Sequence, residues 1–239
     1  MPRVPENWLG SAPESSSTDD LQPASPAQKN DLALDANGDV TTESVTVTPN
    51  SNVRRLAQIV GAGEGDYESY NTGTNGVPGE RVGHSYLHPP AGTVTGRTIN
   101  QVFASASLPG TDPNRMFAVG AYQITIPTLK KAVSALGLTG DEQLTPELQD
   151  RIFKDYLLPT AGDGALGNFL NGGRATVDQA QLAAARQWAS IAVPRGYRTK
   201  SGSVSDGTAS YYPEPANRAN LHQTQALRAF LGDLARWNQ

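Results

Sequence analysis

The chain has 239 residues, a net charge of −4 and no cysteine. That length allows one domain of moderate size plus a tail, and the acidic balance lacks the basic footprint of a nucleic-acid-binding protein. Without cysteine there is neither a disulfide framework nor a thiolate metal site. No apolar run reaches the length of a membrane span.

The N-terminal MPRVPENWLGSAPESSS has no apolar core of signal-peptide type. Residues 1–50 are dominated by Ser, Pro, Asp, Thr and Gln, and apolar residues come singly. Such a segment buries too little to offset ordering, so a linker or fusion arm is expected. Asp35, Asn37 and Asp39 resemble the start of a calcium loop, but Val40 stands where glycine is required and Thr46 where glutamate is required. A turn is expected there instead. His84 and His88 are flanked by Gly83 and by Pro89 and Pro90, which argues against one helix presenting both. No metal or other cofactor is assigned.

Residues 51–239 read as one globular domain. Val53, Leu56, Ala57 and Val60 recur at helical spacing. Gly61, Gly63 and Gly65 disfavour continuation, so the helix is expected to break open near Glu64. A carboxyl group there sits between apolar packing and a polar, Tyr-rich segment. Partial burial would raise its pKa and keep it protonated; the same position also suits a solvated helix-end glutamate.

The stretch from Thr72 to Gly96 is rich in Gly, Pro, Thr and His and has no helical period. A small irregular β lobe is expected there. Thr98 to Ala106 resumes a helix, closed by Pro109 and Pro113. Pro127 suits a first helical turn. Leu129, Ala132, Val133 and Leu136 then form a stripe that Gly137 stops. Thr145 and Pro146 start a helix whose Leu148, Ile152, Phe153 and Tyr156 face one way before Pro159. Ala165 to Leu170 is short and closed by Gly172 and Gly173. Thr176 and Gln179 form a capping box for a helix expected to run to Ala192. Arg195 to Pro215 reads as a Gly/Ser/Tyr loop, and Asn217 to Trp237 as the closing helix. The fold class is mainly α, an α+β arrangement with a small β lobe inserted after the first helix.

Five short motifs occur in this order: Glu64-Gly65, Gly120-x-Tyr122-Gln123, Leu136-Gly137-Leu138, Thr145-Pro146-x-x-Gln149-Asp150 and Trp188-Ala189-Ser190. The series resembles lysozyme-like phage endolysins. The lambda-type endolysin, a lytic transglycosylase, carries similar motifs in the same order. Phage-tail and toxin-type muramidases look closer around Tyr67-x-Ser69-Tyr70-Asn71 and Phe117 to Gln123. The resemblance covers roughly residues 53 to 235.

It implies a lysozyme-like fold, a peptidoglycan glycan strand as substrate, and Glu64 as general acid at a β-1,4 aminosugar bond. It further implies that Gly120, Tyr122 and Gln123 floor the sugar cleft and that Ser69, Tyr70 and Asn71 shape its far wall. Tyr122 reads also as a core aromatic, Gln123 as a helix cap, and Ser69 to Asn71 as a simple turn. Trp188 falls on an apolar stripe and reads as core. Some phage lysozymes place an Asp nine residues after the acid; here that position is Gly73. Glu80 is then the expected second carboxylate for a hydrolase, ahead of Asp66, Glu68 and Asp112. Without one, a transglycosylase remains open, as does a non-catalytic peptidoglycan-binding module. The resemblance places the substrate in the bacterial cell wall. Holin release, a phage tail or injection as an effector would bring the chain there, and an injected effector implies an immunity protein.

Overall fold

A computed structural model describes residues 49–73, 85–212 and 217–237. The arm at residues 1–48, with its calcium-like turn, and Glu80 and His84 lie outside the described residues. The described part is mainly helical with a small antiparallel sheet. No described helix is long and apolar enough to cross a membrane.

Helix α1 spans Pro49–Glu64, β1 Tyr70–Asn71, β2 Ser85–Tyr86, α2 Ile99–Ala106, β3 Ala118–Val119, β4 Ile124–Thr125 and α3 Ile126–Ala135. Then come α4 at Pro146–Ile152, a π turn at Phe153–Leu157, α5 at Leu158–Thr160, α6 at Ala165–Leu170, α7 at Val177–Gln187 and α8 at Leu221–Trp237. Helix α1 packs on α8, and α7 packs between α6 and α8. Leu56 and Val60 of α1, Leu129 of α3, Phe153 of the π turn, and Leu227 and Leu231 of α8 meet in one buried core. Tyr122 stacks on Phe153 at 4.2 Å, and Phe153 meets Trp188 at 5.7 Å, so an aromatic chain crosses that core.

Sequence signals explain much of this. Thr98 and Gln101 exchange the two bonds of a capping box at α2, and Thr176 and Gln179 do the same at α7. Thr145 caps α4 by accepting from the Leu148 N–H at 3.3 Å.

Four features have physical causes. First, α1 ends at Glu64, near where the sequence expected its break, but it runs through Gly61 and Gly63 to reach it. Gln223 of α8 donates from Nε2 to the Ile59 and Val60 carbonyls at 2.9 Å each. Its amide occupies the space beside Gly63, where a Cβ would lie 1.8 Å from Oε1. The glycine that weakens the helix is what admits the side chain that holds it. Gly65 follows the last helical residue, and its φ of 141° suits glycine.

Second, the helix from Thr145 does not stop before Pro159. Proline has no N–H to give and would crowd the preceding turn. The chain widens into the π turn, the Leu158 N–H bonds the Phe153 carbonyl, and helix continues through Pro159 to Thr160.

Third, the sheet has order β2-β1-β3-β4 and recruits two strands from the Ala118 to Thr125 segment, which the sequence left unassigned. Tyr70 pairs with Tyr86 on one side and Val119 on the other.

Fourth, α7 stops at Gln187, and Trp188 turns extended with φ −122° and ψ 120°. The segment expected to stay helical to Ala192 instead brings Ser190 to Glu64 at the end of α1.

The buried amide of Gln149 joins three segments. Oε1 accepts from the Ala121 N–H at 3.0 Å, while Nε2 donates to the Tyr67 carbonyl at 3.0 Å and the Leu144 carbonyl at 2.9 Å. Gln149→Leu keeps the approximate volume and leaves all three backbone groups without that partner. Each buried unpaired group costs about 1–3 kcal/mol. The expected loss is about 3 kcal/mol or more, read in thermal denaturation as a fall of roughly 6–12 °C in Tm. A change below about 2 °C would show that water or a backbone shift replaces the amide.

Candidate active site

Glu64 is the last residue of α1, and its place is set by both ends of its surroundings. Gln223 ties α1 to α8 one turn back. The chain beyond α7 then supplies Ser190, whose hydroxyl donates to Glu64 Oε1. Ser190 is itself fixed, because its carbonyl accepts from the Asn220 N–H at 2.6 Å.

Part of the Glu64 residue remains on the surface, whereas its carboxyl is enclosed by protein atoms. Burial pushes the carboxyl above its ordinary range; the hydroxyl and N–H of Ser190 bond to the charged form and pull it part of the way back. The group therefore holds its proton to higher pH than an exposed glutamate.

Two cavities meet at Glu64. One, of about 660 Å³, lies against α1 and is lined also by Arg54, Tyr67, His88, Tyr122 and Asp150. Five of its polar groups are engaged with one another. Tyr67 and Tyr122 both donate to Asp150 Oδ1, at 2.9 Å and 2.6 Å. His88 Nδ1 is 2.6 Å from Asp66 Oδ2.

The other, of about 440 Å³, is a cleft lined by Glu64, Asn71, Gly73, Phe117, Gln123, Thr125, Trp188, Lys200 and Tyr212, among others. Ala189, the neighbour of the Ser190 that holds the carboxyl, is also on this wall. The cleft combines amides and hydroxyls with an exposed aromatic, Phe117, which is 42% exposed. The indole N–H of Trp188 is buried without a partner. In the larger cavity Tyr67, Tyr122 and Asp150, and His88 and Asp66, are bonded to one another, whereas the smaller one presents amides, hydroxyls and an exposed ring, so the smaller one is the better candidate for substrate.

The expected site residues divide between these places. Glu64, Asn71 and Gln123 come together on the cleft. Asn71 bonds Ser85 Oγ at 2.8 Å and the Gly73 N–H at 2.6 Å, which fixes its amide. Gln123 stands at φ 43° and returns a bond from Nε2 to the Gly120 carbonyl at 3.1 Å.

Tyr122, Gly120, Ser69 and Tyr70 do not line the cleft. Tyr122 is a core aromatic with its ring on Phe153. The Cβ position of Gly120, at φ 76°, is filled by the Gln149 amide, 2.0 Å away at its nearest. Glycine there admits a buried side chain rather than a glycan. Ser69 is buried inside the turn after α1, donating to Asp66 Oδ1 at 2.8 Å. Tyr70 stacks on Tyr86 at 4.7 Å and donates to the Pro113 carbonyl.

The carboxylates considered beside Glu80 hold backbone. Burial works to raise Glu68, but the Thr95 hydroxyl and the N–H groups of Val94, Gly92 and Thr95 outweigh it and keep it below its ordinary range. Asp66 is likewise depressed, burial being outweighed by bonds from His88, Ser69 and the Glu68 N–H. Asp112 accepts from the Asn114 N–H at 2.8 Å. None of the three lines the cleft. No group of acidic and histidine side chains suited to a metal occurs among the described residues.

The sequence did not single out Ser190, Thr125, Lys200 or Tyr212. Ser190 stood inside the Trp188-Ala189-Ser190 motif, but nothing local ties it to a carboxyl 126 residues away. Comparison with protein-family models, with curated proteins and with solved structures finds no match for this chain.

The raised pKa has a sign that can be measured. A group that binds its proton more tightly folded than unfolded contributes stability that is full below the unfolded pKa and is lost as pH rises through the folded pKa. Glu64→Gln should therefore be more stable than the parent near neutral pH, with the gap closing below about pH 4. Ser190→Ala removes one bond to the charged form, so the alkaline limb of any activity that needs protonated Glu64 should move to higher pH. Paired melts and pH–rate profiles check both. A limb that stays in place or moves to lower pH would show that the Ser190 hydroxyl does not stabilise the carboxylate.

Proposed function

We propose that the chain is a peptidoglycan-cleaving muramidase of lysozyme-like fold, with Glu64 as its general acid. One observation carries the reading: an enclosed carboxyl with a raised pKa opens on a cleft of neutral amides, hydroxyls and an exposed aromatic ring. Aminosugar chains offer matching chemistry. Their ring faces pack on aromatics, and their hydroxyl and acetamide groups pair with side chains such as Asn71 and Gln123. The likeness of the five short motifs to phage endolysins and muramidases adds the substrate class.

In this mechanism the Glu64 proton passes to the oxygen bridging N-acetylmuramic acid and N-acetylglucosamine. The C1–O bond breaks, and the leaving sugar keeps that proton as its 4-hydroxyl. Positive charge develops on the muramoyl ring. The carboxylate left on Glu64 is then stabilised by the Ser190 hydroxyl and N–H, the same bonds that oppose the raised pKa.

Water completes a hydrolysis and gives a reducing end, with Glu80 as the carboxylate proposed to activate it. A second reading is favoured by the described wall of the cleft, where Glu64 is the one carboxylate among the described lining residues. There the muramoyl C6 hydroxyl attacks C1, returns its proton to Glu64 and leaves a 1,6-anhydro end.

Glu64→Gln keeps the shape and removes the transferable proton. Release of soluble glycan from purified peptidoglycan should fall on the order of a thousandfold, with the fold intact by circular dichroism. Release near the parent rate would remove Glu64 from the chemistry. Mass spectrometry of the parent's products separates the two endings: a reducing terminus means hydrolase, and a product 18 Da lighter, the mass of one water, means transglycosylase.

A further inference from the structure

Lys200 is the one cation among the described residues of the cleft. No ion pair to it occurs among the described residues. Its ammonium lies 5.2 Å from the centre of the Tyr212 ring, a cation–π contact that orients the head without neutralising it.

The platform is built. The Tyr212 hydroxyl donates to the Arg186 carbonyl at 2.6 Å, fixing the ring at the end of α7. Tyr211 stands edge-on to Tyr212 at 5.3 Å and receives the Arg186 guanidinium on its own face. The Lys200 N–H bonds the Tyr211 carbonyl at 2.9 Å, so backbone and ring are held together. The turn carrying Lys200 is closed by the Thr199 N–H bond to the Ser203 carbonyl at 2.9 Å.

Among the described residues, an ammonium without an ion-pair partner, in a cleft whose other described lining is neutral apart from Glu64, selects for an anion on the ligand. A neutral aminosugar chain has none. A muramoyl chain carries carboxylates on its lactyl ether or on the peptide attached to it, at every second sugar. A lysine head makes charge-assisted bonds to such groups.

We infer that Lys200, seated on Tyr212, is a specificity-determining carboxylate subsite for muramoyl substituents, discriminating peptidoglycan from carboxylate-free aminosugar polymers. This rests on the reading of the cleft as a peptidoglycan site. Glu64 responds to burial and to Ser190. The subsite therefore acts on binding, and the proton on Glu64 is set elsewhere.

The full chain carrying Glu64→Gln is titrated calorimetrically with soluble peptidoglycan oligomers, with the same oligomers after amidation of their carboxylates, and with chitohexaose. The native oligomers should bind about tenfold tighter than the amidated ones, a factor in keeping with one charge-assisted bond at a partly exposed site. The gap should shrink as salt rises. Adding Lys200→Gln should close it to within about twofold, and Lys200→Arg should keep most of it, which separates charge from packing.

Equal binding of native and amidated oligomers, a gap that survives Lys200→Gln, or no binding of any oligomer overturns the inference. The muramidase reading is scored separately by product release from the parent chain. A charge-selective cleft that releases no product would defeat the catalytic reading and leave this one standing.

Discussion

The Gln149 amide is the constraint from which the region around the cleft is built. It takes one N–H from the turn between β3 and β4, one carbonyl from the segment after Glu64 and one carbonyl from the entry to α4. Each of these backbone groups is in a segment without regular structure, where neither helix nor sheet supplies a partner. One side chain replaces three missing ladder bonds. Its bulk dictates glycine at position 120, because a Cβ there would overlap Oε1. The Gly120 turn then sets the neighbouring Gln123 at positive φ, facing the cleft. A packing residue in α4 thus fixes a candidate binding residue some distance along the chain.

Gln223 plays the corresponding part for the acid. Glycines at 61 and 63 weaken α1 as an isolated helix, yet α1 reaches Glu64 because α8 lends it an amide. The break of α7 at Gln187 brings Ser190 across to the carboxyl. The position of one proton thereby depends on α1, α7 and α8 together. Carboxyl burial is unfavourable for the charged form, and the arrangement keeps that cost while moderating it with Ser190. A residue designed only for stability would not be placed so.

Local signals were legible where they were strong. The capping box at Thr176, the helix start at Thr145 and the stripe of α3 all rest on neighbours within one helical turn; the box at Thr98 is equally local but was not picked out. Glu64 stood out because an amphipathic run ends there. The strands escaped notice because each has two residues, too short for an alternating pattern to register. Tyr122 and Gln123 are adjacent yet part company. One ring enters the core to stack on Phe153, while the next amide faces the cleft. A turn at positive φ decides that, and sequence spacing does not record it. Ser190, Lys200 and Tyr212 were missed for the same reason: their partners are set by tertiary packing.

The fate of the other acidic side chains bears on what the cleft can do. Asp66, Glu68 and Asp150 lie close to Glu64 in the chain or in space, and each is committed to a hydroxyl, a histidine or a row of backbone N–H groups. These bonds favour the charged form of Asp66 and Glu68, which is a poor state for donating a proton and a weak one for accepting it. Of Glu64, Asp66 and Glu68, Glu64 is the one whose burial outweighs its hydrogen bonds. The protein therefore separates two uses of the same functional group. Carboxylates with lowered pKa anchor loops around the site, and one enclosed carboxyl has its pKa raised, the shift that the proposed general acid needs. The two tasks need opposite shifts, so an anchoring residue cannot be converted to a catalytic one without releasing the backbone it holds. Removing Glu68, for example, would strip the Gly92, Val94 and Thr95 N–H groups of their acceptor. The carboxylates nearest along the chain are occupied in this way, so on the proposed reading an acid–base partner for Glu64 is to be sought at Glu80, which lies outside the described residues, or in the substrate's own C6 hydroxyl.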